Sequence, residues 1–112
     1  PAIAQWLDFL KTYPVSKLQE NAQYWLGESY YVTRDYDNAA LVFKGLVNSF
    51  PNSAKAPDAL LKLAFCQYEQ KHLADAGATL KQVQSRYPDS DAARLAGERL
   101  AKMGAAGGAA KR

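Results

Sequence analysis

Phe50-Pro51-Asn52-Ser53 returns 37 residues later as Tyr87-Pro88-Asp89-Ser90, and the same interval before it stands Tyr13-Pro14-Val15-Ser16. An aromatic residue, a proline and a serine two places on thus mark the chain three times at one spacing. The offset also links Ala22, Ala59 and Ala96, then Leu26, Leu63 and Leu100, then Ala2, Ala39 and Ala76. Trp6, Phe43 and Leu80 share a phase as well, all large and apolar. A fixed period of this length is the signature of stacked structural units, each too small to bury its own apolar face.

Within each period the apolar residues follow helical spacing. Ala22, Leu26 and Tyr30 fall three to four apart, as do Ala39, Phe43, Leu46 and Val47, and the next period repeats this with Ala59, Leu63 and Ala76, Leu80, Val83. No stretch alternates at period two, and no Asn-Gly hairpin signal occurs. The fold class is all-α. Pro51 and Pro88 stop the helices before them, because proline has no N–H to continue the ladder. Each following serine, Ser16, Ser53 and Ser90, is placed as a helix N-cap, and Ser16-Lys17-Leu18-Gln19 has the form of a capping box. Thr33-Arg34-Asp35 and Gln70-Lys71-His72 divide the periods into two antiparallel helices each. The predicted helices are 2–12, 17–32, 36–49, 54–69, 73–86 and 91–103.

These helices make one domain over residues 1–103. Residues 1–15 hold the second helix of a partial repeat, 16–52 and 53–89 are full repeats, and 90–103 is a terminal capping helix. Residues 104–112, rich in glycine and alanine and ending Lys111-Arg112, read as a flexible tail.

Tyr24-Trp25-Leu26-Gly27-Glu28-Ser29-Tyr30, with Ala39, Phe43 and Pro51 after it, resembles the tetratricopeptide repeat, whose pattern is W-x2-L-G-x2-Y, A-x3-F and P. Leu63, Ala64, Ala76, Leu80 and Pro88 follow the same pattern in the next period. The chain departs from it at the tryptophan position, held by Gln23 and Leu60, and the period is three residues longer than that of the family. The resemblance implies a right-handed α-solenoid of antiparallel helix pairs.

A narrower resemblance covers Ala2 to Met103. Asn21-Ala22-Gln23-Tyr24-Trp25-Leu26-Gly27, Asp37-Asn38-Ala39-Ala40 and Phe50-Pro51-Asn52-Ser53-Ala54-Lys55-Ala56-Pro57-Asp58-Ala59 are similar to the C-terminal repeat domain of the YbgF/CpoB family of Tol-Pal system proteins. That resemblance implies a periplasmic location and a role in coordinating septal peptidoglycan synthesis with outer-membrane constriction. It also implies TolA and a peptidoglycan synthase (penicillin-binding protein) complex as partners, and trimerisation of the full-length protein through a coiled coil outside this chain. Outer-membrane assembly lipoproteins of the BamD type carry a similar repeat. A structural role, in which the repeats stack on other copies, is the second reading.

Composition narrows the chemistry. Fourteen Lys and Arg face eleven Asp and Glu for a net +3, of which Lys111 and Arg112 carry two. The basic side chains are scattered, so the concentrated positive face used in nucleic-acid binding is not expected. No apolar run has the length of a membrane span, and Pro1-Ala2-Ile3-Ala4 lacks the features of a signal peptide. The lone Cys66 cannot form an internal disulfide and sits among apolar neighbours in sequence. His72, the one histidine, is placed in a turn, and Asp35 with Asp37 reads as helix capping rather than a carboxylate pair. No phosphate loop, zinc motif or calcium loop occurs, so neither catalysis nor a cofactor is expected.

What remains is a binding surface. In stacked helix pairs the first helices line the concave side. Residues on those helices at spacings of three and four, outside the core pattern, are Asn21, Tyr24, Glu28 and Tyr31, then Asp58, Leu61, Phe65 and Tyr68. Aromatic and polar groups interleaved on one exposed face are suited to capturing a protein segment.

Overall fold

The computed structural model describes residues 2–12 and 17–111, which form helices α1 (Ala2–Thr12), α2 (Lys17–Val32), α3 (Tyr36–Ser49), α4 (Ala56–Glu69), α5 (Leu73–Arg86) and α6 (Asp91–Lys111), with no strand among them. Each helix packs on the next in the chain, and α4 also touches α6. The result is an all-α, tetratricopeptide-like solenoid measuring 53 × 28 × 17 Å. Its first helices are α2, α4 and α6, and its second helices are α1, α3 and α5.

Side-chain size explains how closely the pairs approach. Phe43, Leu46 and Val47 of α3 are sealed, as are Leu80 and Val83 of α5, in a core that also buries Ala39, Ala59, Ala64, Ala76 and Ala96. A Cβ on Gly27 would stand 2.7 Å from the Phe43 ring, so this position admits glycine while Phe43 keeps its place. Helix α4, in the middle of the row, buries seven residues, whereas α1 buries none.

The turns inside the pairs share a mechanism. Arg34 and Lys71, one period apart, have φ of 65° and 70°, the left-handed region. The Asp35 N–H donates to the Tyr30 carbonyl and the Arg34 N–H to that of Tyr31; His72 and Lys71 repeat this with Gln67 and Tyr68. This pattern closes a helix C-terminus and turns the chain back sharply. Asp35 then caps α3, its side chain accepting from the Asn38 N–H at 3.3 Å, as expected.

Between pairs the serines divide. Ser90 caps α6, accepting from the Ala93 N–H at 3.0 Å. Ser53 does not cap α4: it accepts from the Lys55 N–H, and the helix opens at Ala56 with Pro57 in its first turn. Proline fits there because that N–H has no partner inside a helix, so residues 54–55, expected as helix, belong to the turn. Ser16, the cap of the expected capping box, lies outside the described residues. Residues 104–111, expected as a tail, continue α6 as helix. Alanine, the best helix former, alternates there with glycines that each weaken the helix by about 1 kcal/mol. Tyr87 ties successive turns together by donating its hydroxyl to the Pro51 carbonyl at 2.7 Å.

Candidate functional site

The first-helix face runs across α2, α4 and α6. Of its eight sequence-selected residues, Asn21, Asp58 and Tyr68 are exposed, while Glu28, Tyr31 and Phe65 are half-buried. Tyr24 and Leu61 correct the expectation, being only 8% and 4% exposed. The long Tyr24 side chain reaches down to Phe43, with ring centroids 5.7 Å apart, and meets Trp25 edge-on at 5.2 Å. Leu61 belongs to the core cluster, on a helix that packs against α3, α5 and α6. Spacing along one helix cannot register such packing.

The face is laced by cations lying on rings. Lys62 of α4 reaches α2, where it pairs with Glu28 at 3.2 Å and stands 4.9 Å from the centre of the Tyr31 ring. Arg99 of α6 reaches α4 in the same way, 4.3 Å from the Phe65 ring and 5.7 Å from that of Tyr68. Lys55 stands 5.0 Å from the Tyr24 ring and 5.4 Å from the Trp25 ring. Such contacts contribute about 0.5–1 kcal/mol each where solvent reaches them. Their main effect here is to fix adjacent first helices side by side. Tyr31 also meets Tyr36 edge-on at 5.5 Å, which anchors it to α3.

The sequence reading passed over Lys62 and Arg99 as scattered charges. Both stand one period apart in a single column that begins at Trp25. That shared offset is the signal that could have found them.

Burial on the face holds the Tyr24 and Tyr31 phenols neutral. Tyr24 is pushed up to about 12, first by burial and then by the negative charges of Glu28 and Asp58. Tyr31 is raised for the same leading reason, with Glu69 adding to it. Tyr24 is therefore a packed phenol and not an acid or base near neutrality.

The groups weighed for catalysis sit as follows. Cys66 is fully buried, and burial pushes its thiol up to about 12, so it is a packed thiol rather than a nucleophile. His72 is exposed at the N-cap position of α5 and makes no side-chain capping bond. Asp37 accepts from the Gln70 amide at 2.7 Å, bracing one intra-pair turn against the next. Among the described residues no three His, Cys, Asp or Glu side chains gather where a metal could be held. No helix among them is long and apolar enough to cross a membrane.

A cleft of about 450 Å³ opens beside Asn21, where Glu20 and Lys55 face the Phe50–Pro51 turn.

The tetratricopeptide repeat pattern matches the chain over residues 21–53 and 58–90, together more than half of its length. No curated protein matches it.

Proposed function

The chain belongs to the tetratricopeptide repeat family, and on that premise we propose that it is a noncatalytic module that receives a segment of a protein partner on its first-helix face. One observation carries the reading: the face keeps Asn21, Asp58 and Tyr68 open to solvent while cation–ring contacts hold the helices beneath them in register. A pre-arranged surface loses little entropy on binding, and an exposed aromatic side chain set among polar groups is the type of anchor that dominates interface energy. The docking residues are Asn21, Glu28, Tyr31, Asp58, Phe65 and Tyr68, with Tyr24 and Leu61 supporting them from below.

The finer reading rests on the resemblance of residues 21–27, 37–40 and 50–59 to the YbgF/CpoB repeat domain. In it the module is periplasmic and serves the Tol-Pal cell-envelope system during cell division. It docks TolA and a penicillin-binding protein complex, and so couples septal peptidoglycan synthesis to outer-membrane constriction.

Titration calorimetry with purified TolA tests both levels. Tyr68→Ala is expected to weaken binding by about tenfold or more, the effect of truncating an aromatic anchor. Leu41→Ala, an exposed residue of α3 at 68% accessibility, is expected to leave it unchanged. Unaltered affinity in folded Tyr68→Ala and Phe65→Ala proteins would remove the surface assignment. No binding by the unmodified chain would remove TolA as partner.

A further inference from the structure

The two full repeats differ at matching places of their cores. Tyr30 and Val42 of the first are replaced 37 residues on by Gln67 and Thr79, and Gly45 and Ser49 by Gln82 and Arg86. Thr79 is only 5% exposed, and its hydroxyl donates to Gln67 Oε1 at 2.6 Å. Glutamine is a smaller side chain than the tyrosine it stands for, so the exchange leaves room as well as polarity. A cleft of about 260 Å³ opens at this place, between α3 and α5, with Leu60 and Leu63 of α4 in its lining. It lies inside the row of helices, where α4 packs on both α3 and α5, and all three of its walls belong to the described residues.

The lining is rich in hydrogen-bond donors. Lys44 and Arg86 carry positive charge there, and among the described residues neither has a carboxylate within ion-pairing distance. Because Gln67 accepts from Thr79 through its oxygen, its NH2 is the end left to donate. The Arg86 guanidinium rests near the Tyr87 ring, 5.6 Å from its centre. Asp75, the one carboxylate in the lining, stands eleven residues before Arg86 on α5, about 16 Å away along the helix at 1.5 Å per residue. The cations therefore outnumber the carboxylate, and Arg86 is remote from it.

Deeper in the cleft the lining turns apolar, with Val47, Leu60 and Leu63 all buried. A molecule that suits both parts has an anionic head and a short aliphatic body. A carboxylate accepts charge-assisted hydrogen bonds from ammonium, guanidinium and amide donors alike. Drug-sized ligands occupy pockets of about 300–1,000 Å³, so this cleft is matched to something smaller.

We propose that the cleft between α3 and α5 binds the carboxylate of a small aliphatic acid, either free or as the C-terminal residue of a polypeptide. Lys44 and Arg86 take the carboxylate, Gln67 donates beside them from the position Thr79 gives it, and the aliphatic body rests on Val47, Leu60 and Leu63. The site lies on the second helices and is independent of the first-helix face.

Isovalerate, its uncharged analogue isovaleramide, and N-acetyl-leucine are the probes, titrated into the full chain while amide NMR shifts of α3, α4 and α5 are followed. Isovalerate should give saturable shifts at millimolar concentration, and isovaleramide none. The same shifts with N-acetyl-leucine assign the site to a chain terminus; shifts with isovalerate alone assign it to a free acid. Arg86→Ala and Lys44→Ala should each weaken binding by about fivefold, the size of a solvent-exposed charge contact. Lys81→Ala, the exposed counterpart of Lys44 outside the cleft, should leave it unchanged. The paired change Gln67→Tyr with Thr79→Val rebuilds the side chains of the first repeat, and should abolish binding while the chain stays folded. No saturable shift with either acid, isovaleramide binding as well as isovalerate, equal losses from Lys81→Ala and Arg86→Ala, or binding that survives the paired change would each overturn the proposal.

Discussion

Helices α1 and α3 hold the same place in the repeat, and they bury their residues differently. In α3 Phe43 is sealed at 0% exposure; its counterpart in α1, Trp6, is only half-buried, and Leu7 beside it is 48% exposed. The local pattern is the same in both, an alanine followed four residues later by a large aromatic side chain. What differs is the company: α3 packs on both α2 and α4, whereas among the described residues α1 packs chiefly on α2. In a row of stacked pairs, stability is a sum of neighbour contacts, so equivalent residues take their weight from position in the row.

Substitution at the two aromatic positions should break or sustain that view with the largest effect. Phe43→Ala is expected to lower unfolding stability by about 3–5 kcal/mol, the range for emptying a sealed aromatic site. Trp6→Ala should lower it by about 1–1.5 kcal/mol, because much of the ring is already in water. Urea melts followed by circular dichroism compare the two, and equal losses would contradict a graded row.

A smaller pair of changes sharpens the comparison by sign. Gly27→Ala drives a methyl group into the Phe43 ring, and the overpacking should cost about 1–3 kcal/mol. Gly45 is also helical, but nothing lies within 4 Å of a Cβ built on it. Gly45→Ala should therefore raise stability by about 0.5–1 kcal/mol through helix propensity alone. Thermal unfolding of the two variants separates a glycine fixed by its neighbour from one that is not.

Much of this architecture could be read in the sequence because the period and the turn chemistry are local. The ends of α1, α2, α3 and α5 fall where Thr33-Arg34-Asp35, Gln70-Lys71-His72 and the prolines place them. The start of α4 was misplaced because Ser53 resembles a cap, while Pro57 fits best inside the first turn and moves the boundary to Ala56. The site was less legible. Asn21, Asp58 and Tyr68 lie open, yet Tyr24 and Leu61 are covered, one by its own reach to Phe43 and the other within the core cluster. Both effects come from neighbouring helices, which spacing along one helix does not register. Lys62 and Arg99 were hidden differently: their column with Trp25 is plain at the 37-residue offset, but charged side chains read singly look like solvated surface.

Hydrogen–deuterium exchange of the full chain with and without bound TolA bears most directly on the central claim, that the first helices form the interaction surface and the second helices support it. Partner binding is predicted to slow amide exchange along α2 and α4, strongest around Glu28–Tyr31 and Phe65–Tyr68, and to leave α3 and α5 unchanged on their outer faces. Protection concentrated in α3 and α5, with α2 and α4 exchanging as in the free chain, would contradict it.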